Sequence, residues 1–343
     1  MSPPNWDEGF WDTDTWDSPT TNHAFLPQSK TKTKRHTMAS NPTPDDDNIL
    51  KALCEDLADG CHKHEVAIGI KQNTEAVLRA AIASLDDMKM ARGQAETQVT
   101  QKTAAHQSAD EAGTTVLKNC RLRLVKLFGG QSSSEWKTAG WPASTTAIPT
   151  TQDARFSLLG ALKAYFTAVP ASESNDMEAT AAICGAAHAA ISTARNQLNT
   201  AETALSGAKD NEKAAVRTMR KRVRGVIEEL GTLLAEEDAR YTDFGLNVPA
   251  QPVAPEPIQS LTVTPRGGGK LLAEWTYSTR LGGTRLQKKV VGVDTDFVSA
   301  GTSDGLEKTL LGFTAGQTVE IRVIAYNDGG DAAPSPVASV VVA

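Results

Sequence analysis

Proline is missing from two long intervals of this 343-residue chain, between Pro44 and Pro142 and again between Pro170 and Pro249. A proline inside a helix removes a hydrogen bond and clashes with the preceding turn, so these are the intervals in which long helices are permitted. Both are rich in Ala, Leu, Glu, Lys, Arg and Gln, which lose little on entering a helix. The first helix is predicted to follow the acidic run Asp45, Asp46, Asp47, which suits the positive end of a helix dipole. Ile49, Leu50, Leu53, Leu57 and Cys61 form one stripe, and the helix should stop near Gly69. A second start signal, Asn73-Thr74-Glu75, opens a run in which Val77, Leu78, Ala81, Ile82, Leu85 and Met88 keep the helical period. It ends at Phe128, before two glycines. A helix over 73–128 is about 80 Å long at 1.5 Å per residue. Its middle, "ETQVTQKTAAHQSADEAGTT", is weakly apolar, so it either projects beyond its partners or breaks near Gly113. Continuity is the preferred reading.

The plan then repeats. "DARFSLLGALKAYF" (153–166) reads as a short amphipathic helix and "SESND" (172–176) as a start signal, followed by a second long helix to about Gly231. At an offset of about 102 residues "LKNCRLRLVKLFG" (117–129) falls on "MRKRVRGVIEELG" (219–231). Two short-helix/long-helix units, each with a stripe it cannot bury alone, are expected to pack as a four-helix array. The small side chains of "EATAAICGAAHAA" allow close helix approach, and His188 among them is read as an ordinary packed or half-exposed histidine. The segment between the units (129–152) carries Trp136 and Trp141. They either cover the ends of the long helices or form an exposed recognition surface.

After the Pro-rich stretch 249–257, read as a semi-rigid linker, the period changes. "IQSLTVTP" and "GKLLAEWTY" are strand-like, and "TVEIRVIAYN" puts Val319, Ile321, Val323 and Ala325 on one face. Pro257 before the first strand, Leu271 and Trp275 on the second, and "VEIRVIAYNDGGDAAPSP" together resemble a fibronectin type III domain over 255–343. The resemblance implies a two-sheet immunoglobulin-like sandwich. One position departs from it: Val319, six residues after Phe313, stands where that family usually carries a corner tyrosine, so the hydrogen bond of that hydroxyl is missing. No Arg-Gly-Asp triplet is present, and the integrin role of some relatives is not carried over. In "WPASTTAIPTT" and "ARYTDFGLNVP" the helical part is similar in layout to uncharacterised bacterial proteins that place a long-helix region before such a domain; that likeness implies architecture and no activity.

The expected organisation is therefore a multidomain chain, an all-α long-helix bundle followed by an all-β sandwich. It comprises a solvated tail (1–47), helical unit 1 (48–128), a connecting loop (129–152), helical unit 2 (153–248), a linker (249–257) and the sandwich (258–343). Met38 offers an alternative start of translation.

A net charge of -6 and a pI near 5.6 argue against a surface built throughout for nucleic acid. Cys54, Cys61, Cys120 and Cys184 lie in helical sequence and are read as reduced thiols. "CEDLADGCHKH" gathers Cys54, Cys61, His62 and His64, but on a helix the two thiols sit about 10 Å apart, too far to share a zinc ion unless Gly60 breaks the helix. No Walker A pattern, Gly-x-Ser-x-Gly elbow or His-Glu-x-x-His is present, and "RGGGK" (266–270) reads as a turn between strands. No catalytic residue, cofactor or metal is assigned.

Candidate partner-binding residues remain. Arg217, Arg220, Lys221 and Arg224 share one helix side, with Lys118, Arg121, Arg123 and Lys126 in the corresponding part of the first unit, and together they offer phosphate ligands or an ordinary ion-paired face. In the tail, Trp6, Trp11 and Trp16 each precede an aspartate at steps of five residues, a spacing that lines no side of a helix or strand. They suit an extended docking peptide with separate indole anchors. The leading expectation is a non-enzymatic interaction or scaffold protein with protein partners. The alternatives are binding to nucleic acid or an anionic membrane through the basic segments, and a carbohydrate-active enzyme or its accessory module. With no signal peptide or membrane span in the sequence, the cytoplasm or a non-classical export route is expected.

Overall fold

The structure is a computed structural model, and it describes residues 41–142 and 144–343. Trp6, Trp11 and Trp16 lie outside the described residues.

Helix α1 (Asp47–Ile68) starts where Asp46 accepts from the amides of Asn48 and Ile49, and it ends at Gly69, whose φ of 89° is the left-handed conformation that closes a helix without side-chain strain. Gly60 does not break it. A side chain there would strike the Phe244 ring, so the missing Cβ is what lets that ring lie against the helix. Helix α2 (Glu75–Phe128) is continuous through Gly113, which is buried against Ile191. After a short α3 (Ser134–Thr138) come α4 (Gln152–Ala168) and a second long helix, α5 (Ala181–Leu233).

The long helices run antiparallel, as their cross-links show: Asn73 with Glu229, Arg92 with Glu212, Lys102 with Gln197, and Cys120 with Cys184. The expected four-helix array is not what forms. Helix α1 joins α2 and α5 at one end, burying Leu50, Leu53 and Leu57 with Leu78, Leu85, Met219, Val223 and Phe244. Helix α4 joins them at the other, burying Leu158, Leu159, Leu162 and Phe166 with Leu117, Leu124 and Ile191. Each end is a three-helix bundle, and the buried positions of α2 skip from Leu85 to Asp110 while those of α5 skip from Ala194 to Ala215. The weakly apolar stretch of α2 crosses this gap because it has nothing to bury there.

The two halves correspond at an offset one helical turn longer than the sequence comparison suggested. The threonines that stand just before the two long helices, Thr74 and Thr180, are 106 positions apart, and so are the residues that hold the two hairpin loops. The Glu229 carboxylate accepts from the amides of Lys71 (2.8 Å), Gln72 and Asn73. Arg123 instead donates to the carbonyl of Ser172 (2.9 Å). Burial raises the Glu229 pKa, but the loop amides outweigh it and hold the carboxyl below its usual value.

The C-terminal domain is an antiparallel sandwich. One sheet has the order β1 (Leu261–Gly267), β2 (Lys270–Trp275), β5 (Glu307–Leu310). The other has β4 (Val298–Ser303), β3 (Gly283–Val290) and β6 (Thr318–Asn327), with β7 (Gly330–Asp331) and β8 (Ala338–Val341) both pairing with β6. The predicted alternation of β6 buries Val319, Ile321, Val323 and Ala325 against Leu271, Ala273, Trp275 and Leu286. Val319 at the corner position is itself part of this core.

Candidate functional site

The most differentiated place in the molecule is the junction where one end of the sandwich meets the α1 end of the helical body. The register of β3 on β6 puts Gly283 opposite Tyr326 and Val290 opposite Val319, so the loop 276–282 and the turn after Asn327 lie at the same end. That end faces the helices. Asn327 organises it: its Nδ2 donates to the carbonyls of Arg280 (2.9 Å) and Val253 (3.0 Å) and to Asn247 Oδ1 (3.3 Å), while its Oδ1 accepts from the Gly329 amide (2.7 Å). One carboxamide thus joins the strand, the 276–282 loop, the Pro-rich segment and the end of the helical body. Gly329 is needed there, because a Cβ would lie 2.7 Å from the Ala254 amide nitrogen.

Asn247 is held from a second direction. Asn41 donates to its carbonyl (3.0 Å) and accepts from its amide (2.8 Å), anchoring the chain where the described residues begin. Between these groups lies a cleft of about 290 Å³ lined by Asn41, Ile49, Leu53, Asn247, Tyr277 and Arg280. Arg280 adopts a φ of 64°, uncommon for a residue with a Cβ, and its Nε is buried without a hydrogen-bond partner among the described residues. At the edge of the junction the Tyr277 hydroxyl donates to Asp56 of α1. Burial pushes the Asp56 carboxyl up to about 6, the Tyr277 hydrogen bond opposes this, and the nearby charges of Asp59, Glu55 and Glu256 add to it. Burial, reinforced by Asp56, also raises the Tyr277 pKa, so the phenol remains a donor.

The sequence-predicted residues fall elsewhere. Trp136 and Trp141 are buried and do not form an exposed recognition surface. Their rings meet edge to face at 5.1 Å between centroids, and their Nε1 atoms donate to the carbonyls of Gly129 (3.1 Å) and Ala147 (3.2 Å). They close the α4 end of the helical body, since a large apolar ring with one polar atom is stable inside when that atom is satisfied.

The basic segments do not combine either. Because α2 and α5 are antiparallel, Arg220 stands opposite the start of α2, about 60 Å along the helices from Arg121 at 1.5 Å per residue. Arg220 bonds the Pro44 carbonyl and reaches Asp45 and Asp47, whereas Arg121 donates to the Thr146 carbonyl (2.7 Å). Arg217, Lys221 and Arg224 are exposed on α5, and Lys118 and Lys126 on α2. The cysteine and histidine cluster is dispersed too: Cys61 Sγ faces the Asn73 carbonyl (3.6 Å), His62 meets Glu75 (2.9 Å) and His64 meets Asp243 (2.8 Å). Among the described residues no group of three or more metal-type ligands converges, and no helix is long and apolar enough to cross a membrane. The sequence reading missed Asp56, Tyr277 and Arg280, and nothing in their local sequence marks them.

No protein-family model matches the chain, and no curated protein matches it. Solved structures similar to its C-terminal part include the FN5 domain of Drosophila Lar, at 20% identity over 26% of this chain and 96% of that one, with a TM-score of 0.23. The chicken CNTN1 FN1-FN3 domains are similar at 16% identity over 26% of this chain and 33% of that one (TM-score 0.25). The twitchin kinase region from C. elegans is similar at 20% identity over 26% and 16% (TM-score 0.24), so the chain covers a small part of that protein's length. The domain's own strand order, β1-β2-β5 in one sheet and β4-β3-β6 with β7 and β8 both on β6 in the other, is a fold resembling that of fibronectin type III domains.

Proposed function

We propose that this protein is a non-enzymatic scaffold that docks a protein partner on the end of the sandwich facing away from the helices. The observation that carries this reading is the division of the sandwich into a committed end and a free one. The 276–282 loop and the turn after Asn327 are spent on the helical body. At the opposite end the strand registers gather Val291, Val293, Leu311 and Val341, since Val291 bonds Thr318, Thr318 pairs with Val341, and Phe313 bonds Gly269 beside the start of β2. All four aliphatics are exposed, Val293 at 72% and Leu311 at 63%. Exposed aliphatics grouped at one end of a small domain mark contact surfaces more often than isolated ones do.

In this reading the helices fix the direction in which that end points, and the tail with Trp6, Trp11 and Trp16 supplies a second docking element. The test is affinity purification with quantitative mass spectrometry of the full chain, the Val293→Asp/Leu311→Asp variant, and a chain lacking residues 1–40. Partners lost in the double variant, with its thermal unfolding unchanged, support the reading. An unchanged partner set in both altered chains contradicts it.

A further inference from the structure

We propose that Cys120 and Cys184 are a redox-sensitive staple, closing in the presence of a peroxide to one disulfide that ties α2 to α5 at the α4 end of the helical body. All four cysteines are buried and free. Their surroundings differ. Cys54 and Cys61 both sit on α1, seven residues apart, and each thiol faces a backbone carbonyl, that of Leu78 or Asn73. Cys120 and Cys184 come from different helices, and their Sγ atoms are 3.4 Å apart. A disulfide is about 2.05 Å long, so closure needs an approach of little more than 1 Å.

The sequence accounts for this closeness. Around Cys184 the helix is "AAICGAAHAA", whose small side chains let the helices come near. About two turns further on, Ile191 fills the space left by Gly113, where a Cβ would lie 2.9 Å from its Cδ1. The position also favours chemistry at one sulfur over the other. Cys184 lies in the first turn of α5, just after the capping residue Thr180, where the positive end of the helix dipole favours a thiolate. The hydrogen bond from Cys120 lowers the Cys184 pKa against the effect of burial, and the same contact raises that of Cys120.

Cys184 is therefore the attacking sulfur. Its thiolate attacks one oxygen of hydrogen peroxide, an S–O bond forms as the O–O bond breaks, and the departing hydroxide leaves as water after taking up the proton the thiol had released, with Cys184 now a sulfenic acid. The Cys120 sulfur displaces the hydroxyl of that sulfenic acid, and its thiol proton leaves with the hydroxyl as the second water. The two thiols lose two electrons, which the peroxide gains. The closed loop spans α3, the connecting segment and α4, so the bond restrains the unfolded chain and stabilises that end. Neither sulfur is exposed, so the oxidant enters through transient opening and closure is slower than at a surface thiol.

The experiment uses the purified, reduced full chain treated with hydrogen peroxide, then denatured, alkylated, digested and analysed by mass spectrometry. One cross-linked species joining the Cys120 and Cys184 peptides is expected, with Cys54 and Cys61 alkylated. The thermal midpoint should rise on oxidation and fall back with dithiothreitol. Cys120→Ser should show no rise and should leave a sulfenic acid at Cys184 that dimedone traps. Alkylation of all four cysteines after oxidation, or cross-links spread over other pairs, overturns the proposal. The comparison of reduced with oxidised wild-type protein stands without any variant.

Discussion

The Tyr277 hydroxyl, at the base of the sandwich, donates to the Asp56 carboxylate of α1 at 3.3 Å. This bond places a half-buried acid at the seam between the two domains and makes the seam responsive to pH. Asp56 has a carboxyl raised to about 6 in the folded chain, above an ordinary value of 3.8. The folded state therefore holds its proton more tightly than the unfolded state does. Its contribution to stability is greatest below about pH 4 and is lost as pH rises through 6. Asp56→Asn keeps an acceptor for Tyr277 and removes the charge. The variant should match wild type near pH 4 and exceed its stability at pH 7 by about 1–2 kcal/mol, allowing for solvent screening of the exposed part of the carboxylate. Urea unfolding of both proteins across pH 4–7 checks this, and a difference independent of pH would contradict it.

Gly60 should be intolerant of even a methyl group. A Cβ there would fall into the Phe244 ring and 2.9 Å from the Asp243 carbonyl oxygen, and the ring is buried with Leu57, Tyr241 and Leu246. Gly60→Ala gains helix propensity of about 1 kcal/mol but must displace the ring, and overpacking of this kind costs about 1–3 kcal/mol. A net fall in the thermal midpoint is expected, and Gly93→Ala on α2, with open space around it, should raise the midpoint instead.

The ion pair of Asp110 and Arg155 ties α4 to α2. Arg155 Nε donates to Asp110 Oδ1 at 3.0 Å, both side chains are largely buried, and the guanidinium also holds the carbonyls of Pro149 (3.2 Å) and Thr150 (2.7 Å). Removing one partner of a buried pair leaves the other charge unpaired and costs about 3–5 kcal/mol. Asp110→Ala should therefore unfold at markedly lower denaturant, with hydrogen exchange rising first in α4 and the connecting loop. Equal exchange in α1 and α4 would contradict that assignment.

How far these features could be read beforehand depended on whether one element or several define them. The stop of α1 at Gly69 and the alternating face of β6 are set by local period and capping, and each followed from a few neighbouring residues, whereas the weakly apolar middle of α2 left a break near Gly113 open as the alternative to the continuous helix that forms. The number of helices at each level depends on where α1 and α4 dock along the long pair. Four residues of offset, one turn, were enough to misalign the two halves without altering any local pattern. Trp136 and Trp141 sit in a loop whose composition suits either exposure or burial, and only the Gly129 and Ala147 carbonyls decide it. The junction was the least legible part. Asn327 was recognisable as a strand-end residue, but its acceptors come from Val253, Asn247 and Arg280, whose convergence no sequence spacing announces.

That convergence means that the Pro-rich segment does not act as a free tether and that the sandwich is locked to the helical body with its aliphatic end outward. Spin labels at Ser84→Cys on α2 and Thr262→Cys on β1, both exposed positions, would report the distance between the two domains by pulsed electron spin resonance. One narrow distance distribution is expected for the otherwise unaltered chain, broadening when Asn327→Ala removes the shared carboxamide. A broad distribution before that substitution is made would show a tethered sandwich and contradict the account.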